Sequence, residues 1–144
     1  MKKILLVVAI AIVSYGIYQR NSDVQSSFSG HVSYNEDPIR KAYENRKSDV
    51  QVQGEGEVIR LLADDDDGSR HQKFIIRLST GQTLLMAHNI DLAPRINTLS
   101  EGDRIEFYGE YEWNSKGGVI HWTHHDPNGN HVSGWIKHRG KTYQ

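Results

Sequence analysis

Apolar and polar residues alternate along most of the second half of the chain, a pattern typical of β-strands that bury one face. The clearest case is residues 104–113, where the core-facing positions are predicted to be Ile105, Phe107, Gly109 and Tyr111. Similar segments surround it at 50–62, 73–78, 83–88 and 119–123. No long helical periodicity interrupts these segments. The pattern therefore predicts an all-β domain of five strands.

Turn residues separate the predicted strands. Asp67-Gly68 favours a hairpin between the first and second strands. Gly54 and Gly56 interrupt the first strand, and glycines at such positions are typical of a bulge or sharp bend. Residues 89–99 carry Pro94 and predict a loop with a turn of helix before the fourth strand.

This order of elements, with "EGDRIEFYGEY" and a final "GGVIHWTH", resembles the five-stranded barrel called the OB-fold. The phrase Gly102-Asp103-x-Ile105-x-Phe107-x-Gly109 is similar to the fourth strand of such barrels. The whole chain, with its tail "HHDPNGNHVSGWIKHRGKTY", resembles an uncharacterised bacterial family of small exported proteins with a single OB-like barrel. The resemblance covers residues 49–144. It implies a five-stranded OB-like barrel with a short helical connection, and it leaves the ligand open because OB barrels bind many kinds of molecule.

The amino terminus carries an export pattern. Lys2 and Lys3 precede a run of ten apolar residues at 4–13, which continues more weakly to residue 18. A charged start and a short apolar run are typical of a secretory signal, whereas a comfortable membrane span needs roughly 20 apolar residues. We predict export to the periplasm, with residues 1–20 either a cleaved signal peptide or an anchor in the inner membrane.

Residues 21–48 are polar and predict a linker, which acts either as a spacer or as an arm that packs on the barrel. A short helix is predicted at 37–46, with Asp37 as its N-cap and Pro38 at its first position. The barrel with its His- and Trp-rich tail follows at 49–144. Within that tail, residues 132–143 predict a final hairpin that lays Trp135 and Ile136 on the barrel.

Composition narrows the classes of function. The 144 residues include no cysteine, which excludes disulfides, thiolate metal sites and thiol nucleophiles. The formal net charge is -1, and between residues 49 and 126 acidic residues outnumber basic ones by 14 to 7. Polyanion binding draws much of its affinity from neutralised phosphates, so this balance disfavours nucleic acid as a partner.

Two sets of residues are candidates for ligand binding. The first set is expected to line the face of strands 2 and 3 that OB barrels use for ligands, and consists of Arg70, Lys73, Phe74 and Arg77. The second is an aromatic group that can stack on rings of a ligand, and consists of Trp113, Trp122 and Trp135. The alternative for the first set is an ordinary half-solvated strand, and the alternative for the tryptophans is burial in the core.

The histidines give the strongest chemical signal. Four of them lie within eleven residues together with one aspartate: His121, His124, His125, Asp126 and His131. Imidazole and carboxylate ligands suit zinc, copper or nickel, so this segment predicts a site for Zn or Cu. The alternative is that these residues only form hydrogen bonds in a turn around Pro127 to Gly129.

The sequence favours an exported, non-enzymatic binding module on an OB-like barrel, with an unknown ligand. Two alternatives stay open. One is a metal-binding protein that uses the segment from His121 to His131, and the other is a metal-dependent nuclease or nucleic-acid-binding protein on an OB scaffold. No serine lies in an elbow motif of the kind that nucleophilic hydrolases use, and no catalytic residue is predicted.

Overall fold

Seven strands and one short helix form the part of the chain that the computed structural model describes, residues 36–144. The elements are α1 (Glu36–Glu44), β1 (Val50–Leu61), β2 (His71–Arg77), β3 (Thr83–Asn89), β4 (Arg104–Glu112), β5 (Val119–His121), β6 (Trp135–His138) and β7 (Lys141–Tyr143). The predicted signal or anchor segment lies outside the described residues. Within them, no helix has the length and apolar character needed to cross a membrane.

Five of the strands close into a barrel. The strand order β1-β2-β3-β5-β4 is completed by pairing between β1 and β4, which runs from Val50 opposite Tyr111 to Glu57 opposite Arg104. All of these pairs are antiparallel except β3 with β5. The prediction of a five-stranded OB-like barrel is confirmed, and four of the five strands begin at the predicted residue.

The first strand serves two partners because it bends. Its first part pairs with β4, its last part pairs with β2, and the register shifts between Val58 and Arg60. The predicted bend at glycine is therefore a bulge placed just beyond Gly56. Gly54 has a packing role instead, because a Cβ atom there would lie 2.8 Å from the ring of Phe107.

The barrel interior holds the inward residues of every strand. Phe107 has no exposed surface, as the alternation in β4 predicts. Helix α1 adds Ile39 and Ala42 to the same core, so it packs on the barrel as an arm and is more than a spacer. The sequence had too few apolar residues around Ile39 to identify it as a core position.

The connection from β3 to β4, residues 90–103, consists of turns and contains no assigned helix. The predicted turn of helix corresponds to one hydrogen-bonded turn, in which the N–H of Ala93 donates to the carbonyl of Asn89 at 3.1 Å. The buried Gln72 side chain fixes the rest by bonding both the N–H and the carbonyl of Ile96, at 2.8 and 3.0 Å. This connection is thereby tied to β2.

The predicted C-terminal hairpin is confirmed as β6 and β7. Its two-residue turn consists of Arg139 and Gly140, with φ of 48° and 77°, the signs that a type I′ turn requires. Strand β6 pairs with β4 on the edge that β4 also offers to β5. The segment between β5 and β6, residues 122–134, therefore leaves the barrel and returns to the same strand.

Candidate functional site

The outer face of β4 carries the candidate site. Alternation in β4 buries one set of residues and turns Tyr108, Glu110 and Glu112 outward. Antiparallel pairing places His121 of β5 opposite Glu110 and Trp135 of β6 opposite Tyr108. Residues from β5, β6 and the segment between them therefore meet the carboxylates of β4.

The loop 122–134 is held in shape by its own hydrogen bonds. The backbone N–H groups of Asn128, Asn130 and His131 donate to the carboxylate of Asp126, at 3.0, 2.7 and 2.8 Å. These bonds lower the pKa of Asp126, and the bond from the Asn128 N–H has the largest effect. At the end of the loop, Gly134 contacts backbone so closely that a Cβ atom there would lie 2.0 Å from the carbonyl oxygen of Trp122. Asp126 therefore organises the loop.

The organised loop brings His131 onto Glu110. The His131 Nε2 atom lies 2.5 Å from Glu110 Oε2, and Nδ1 lies 2.8 Å from the carbonyl oxygen of Val132. The imidazole also stacks on the indole of Trp122, with ring centroids 4.0 Å apart. Burial lowers the pKa of His131, but the hydrogen bonds to Glu110 and Val132 and the nearby negative charges outweigh it, so the net pKa is raised.

His121 approaches the same carboxylates from β5. Its Nε2 atom lies 3.2 Å from Glu110 Oε1 and 3.4 Å from Glu112 Oε1. Neither contact has the alignment of a hydrogen bond, and this nitrogen is buried without a hydrogen-bond partner among the described residues. We call Glu110, Glu112, His121 and His131 the Glu-His cluster. Its side chains are 15 to 34% exposed, so solvent reaches it.

Within the Glu-His cluster, the distances from His121 to the two carboxylates match those of a coordination shell. Zinc binds imidazole nitrogen and carboxylate oxygen at about 2.0 to 2.2 Å, so two ligand atoms of a tetrahedral site lie about 3.3 to 3.6 Å apart. The contacts of His121 Nε2 are 3.2 and 3.4 Å. One ligand atom from each of Glu110, Glu112 and His121 lies within 4.8 Å of the others. These residues therefore fit a small divalent ion.

Three residues of the predicted metal set do not join this cluster. Asp126 uses its carboxylate on the loop backbone. His124 is buried, with Nδ1 2.8 Å from the carbonyl oxygen of His125 and its ring against Trp122. His125 is exposed and contacts Ser133. Only His121 and His131 of the predicted set converge, because β5 ends at His121 and the next residues follow loop geometry.

The predicted binding residues of β2 do not share one face. Phe74 has no exposed surface and belongs to the barrel core, so it cannot stack on a ligand. The correction follows from strand geometry, since Phe74 is adjacent to Lys73 and neighbouring side chains point to opposite faces. Arg70 pairs with Asp91 at 2.7 Å, and Lys73 contacts Asp65 at 3.4 Å. Arg77 is exposed at the end of the strand.

The three tryptophans do not form one aromatic group. The indole N–H of Trp113 donates to the carbonyl of Tyr43 at 3.1 Å, which ties β4 to the end of α1. The ring centroids of Trp135 and Tyr108 are 6.2 Å apart, and the Nζ atom of Lys137 lies 4.7 Å from the centroid of the Trp135 ring. Trp122 stacks on His131. Each indole has a different partner, so the predicted shared platform is absent among the described residues.

Sequence reasoning missed Glu110 and Glu112 as members of the site. Their outward position follows from the alternation in β4, which the sequence does reveal. Their proximity to His121 depends on the register between β4 and β5, in which Glu110 pairs with His121 and Glu112 with Val119. A hairpin drawn through the turn at residues 114–118 would have indicated this pairing.

The comparisons with known proteins identify a family without assigning an activity. No curated protein matches the sequence. The match to a family model confirms the resemblance to an uncharacterised family, whereas bacterial origin and export stay predictions. The model described as "Protein of unknown function (DUF3465)" matches residues 19–144, most of the chain, and the protein therefore belongs to that family.

Proposed function

We propose that this protein is a metal-binding module, and that its Glu-His cluster binds one divalent ion of the zinc class on the surface of the barrel. The observation that carries the proposal is the His121 Nε2 atom. It is buried without a hydrogen-bond partner among the described residues, yet two carboxylate oxygens lie at coordination-shell distances from it. An ion between these atoms would satisfy all three.

The donor set favours borderline ions. Calcium and magnesium prefer shells made of oxygen, whereas imidazole suits zinc, copper and nickel. His131 lies outside the three residues whose ligand atoms converge, and it orients Glu110 instead, because its Nδ1 is held by the Val132 carbonyl and its Nε2 bonds the carboxylate. Glu110 accepts the hydrogen bond from His131 at Oε2, which leaves its Oε1 for an ion held beside His121. Zinc is the ion we assign, and copper should bind more tightly by the general affinity order.

The partial exposure of the cluster bears on its role. The His121 Nε2 atom is itself buried, whereas the Glu112 side chain is 34% exposed, so water would reach a bound ion from the side of Glu112. Such an ion exchanges with solvent or meets a further ligand, which suits a binding protein better than a structural zinc site with four closed ligands. With the predicted export, this describes a metal-binding module that acts outside the cytoplasm.

Calorimetric titration with zinc chloride tests the proposal. The wild-type protein should bind one ion per chain, and His121→Ala should weaken that binding at least tenfold. The matched control is His125→Ala, which removes an exposed histidine from the neighbouring loop without touching the cluster. It should bind zinc as the wild type does.

A spectroscopic readout separates specific binding from loss of fold. Trp122 stacks on His131, so copper bound at the cluster should quench tryptophan fluorescence with the same stoichiometry. Circular dichroism of His121→Ala should match that of the wild type. Wild-type binding as weak as that of His121→Ala, or equal losses in His121→Ala and His125→Ala, would refute the assignment.

A further inference from the structure

A second candidate site lies at the end of the barrel near α1. A cavity of about 420 Å³, wide open to solvent, lies where the helix meets the β2–β3 turn and the β4–β5 turn. This volume falls within the range of small-molecule pockets, about 300 to 1,000 Å³. The described residues that line it are Arg40, Tyr43, Thr80, Gly81, Gln82, Thr83, Ser115, Lys116 and Gly117. None of them belongs to the Glu-His cluster.

The two turns that form the cavity wall are locked together. The Gln82 side-chain amide donates to the carbonyl of Gly117 at 2.8 Å, and the buried hydroxyl of Tyr111 donates to the same oxygen at 3.0 Å. A Cβ atom at Gly117 would lie 2.0 Å from the carbonyl oxygen of Thr83, so the two backbones touch. The wall is therefore formed before any ligand arrives, which lowers the entropic cost of binding.

The β4–β5 turn has its own internal support. The Asn114 side chain accepts hydrogen bonds from the N–H groups of Lys116 and Gly118, at 2.8 and 3.1 Å. This arrangement fixes the backbone of Lys116, whose side chain is exposed at the mouth of the cavity. Helix α1 is fixed in turn by the burial of Ile39 and Ala42 in the barrel core.

The charge of the cavity differs from that of the rest of the described chain. Residues 36–144 contain 17 acidic and 14 basic side chains. Among the described residues that line the cavity, none is acidic and two are cationic; Arg40 already has another partner, so the charge offered to a ligand comes from the exposed Lys116. Four more supply hydroxyl groups, namely Tyr43, Thr80, Thr83 and Ser115. A cation and several hydroxyl donors in one concave site are the chemistry that recognises an oxyanion.

We propose that this cavity binds a small organic anion through its carboxylate or phosphate group. Lys116 supplies the charge from the β4–β5 turn, and the hydroxyls of Thr80, Thr83 and Ser115 donate hydrogen bonds from the two turns. The site is independent of the Glu-His cluster, so either one can be absent without affecting the other.

Nuclear magnetic resonance titrations with two probes test this site and identify the oxyanion. Sodium phosphate and sodium acetate are added separately to the ¹⁵N-labelled protein, with sodium chloride at equal ionic strength as the baseline. At least one probe should shift the amide signals of residues 80–83 and 115–117 in a saturable way. The probe that binds more tightly tells phosphate from carboxylate recognition.

Variants decide whether the cavity is responsible. Lys116→Gln should weaken binding of the preferred probe at least fivefold, and Lys116→Arg should retain it. The matched control is Lys137→Gln, which removes the same charge from β6, outside the cavity lining. No saturable shift with either probe, or equal weakening in Lys116→Gln and Lys137→Gln, would overturn the proposal.

Discussion

Gly54 gives the sharpest test of the barrel packing. It pairs with Phe107 across β1 and β4, and a Cβ atom at position 54 would lie 2.8 Å from Phe107 Cζ and 3.3 Å from Ile39 Cδ1. Alanine usually stabilises the interior of a strand relative to glycine, by about 0.5 to 1 kcal/mol. The structure predicts the opposite sign for Gly54→Ala.

The magnitude follows from the space that is missing. Ordinary contact begins near 3.4 Å, so the ring of Phe107 must move by about 0.6 Å. The Phe107 ring has no exposed surface, and Ile39 is also fully buried on the other side of the new methyl group, so neither side chain can move without displacing its neighbours. Overpacking of this kind costs about 1 to 3 kcal/mol, and the strand preference of alanine offsets part of it. We expect Gly54→Ala to lower the free energy of unfolding by about 1 to 2 kcal/mol.

A double-mutant cycle with Phe107→Leu isolates the contact. Leucine removes the ring atoms nearest to position 54, so Gly54→Ala should cost about 1 kcal/mol less in that background than in the wild type. Urea unfolding of the four proteins, followed by circular dichroism, gives the free energies. Stabilisation by Gly54→Ala, or strict additivity of the two changes, would refute the packing described for this pair.

Three further predictions concern the core, the response to acid and the loop. Phe107→Ala should destabilise the protein by about 3 to 5 kcal/mol, and a thermal midpoint that scarcely moves would contradict the burial of this ring. Burial lowers the pKa of His88 to about 4. As the pH falls below 6.5, His88 therefore becomes protonated in the unfolded chain, whereas in the folded chain it stays neutral until about pH 4. The contribution of neutral His88 to the free energy of unfolding is therefore complete above pH 6.5 and falls by about 3 kcal/mol as the pH drops to 4. Urea unfolding should show that the free energy of unfolding declines less steeply with falling pH in His88→Gln than in the wild type, and equal slopes would contradict the lowered pKa of His88. Asp126→Ala should release the backbone N–H groups of the loop, raise the protease sensitivity of residues 122–134 and weaken zinc binding, whereas unchanged values for both would mean that another contact fixes the loop.

The strands were predictable because each has one buried face, and a strand buried on one face has apolar and polar residues in alternation along its sequence. Phe107 is a direct instance, since its neighbours in β4 alternate between apolar and polar residues. Ile39 was not recognised because helix α1 has only nine residues and is polar overall, a composition that a solvated linker shares.

The site was predictable only in part because it depends on register and on a loop. His121 lies on a strand, yet its partners Glu110 and Glu112 are near it only through the pairing of β4 with β5. His124 and His125 are adjacent to that strand in sequence, but the chain turns at Trp122, whose φ is 52°. From there Asp126 decides the path by side-chain hydrogen bonds, which leave no periodic pattern in a sequence.

Strand β4 is the one described strand with three partners, because β1 occupies one edge while β5 and β6 share the other. Separation of β4 would open the barrel, part the carboxylates from His121 and release the C-terminal hairpin in the same event. Amide hydrogens of β4 should therefore exchange with solvent deuterium only through global unfolding, while those of residues 122–134 exchange through local opening. If the proposed ion binds, it would fix Glu110, the carboxylate that holds His131, and would therefore slow the second process far more than the first. Deuterium exchange of residues 122–134 would then test for the ion on a stretch of backbone that the barrel itself does not protect.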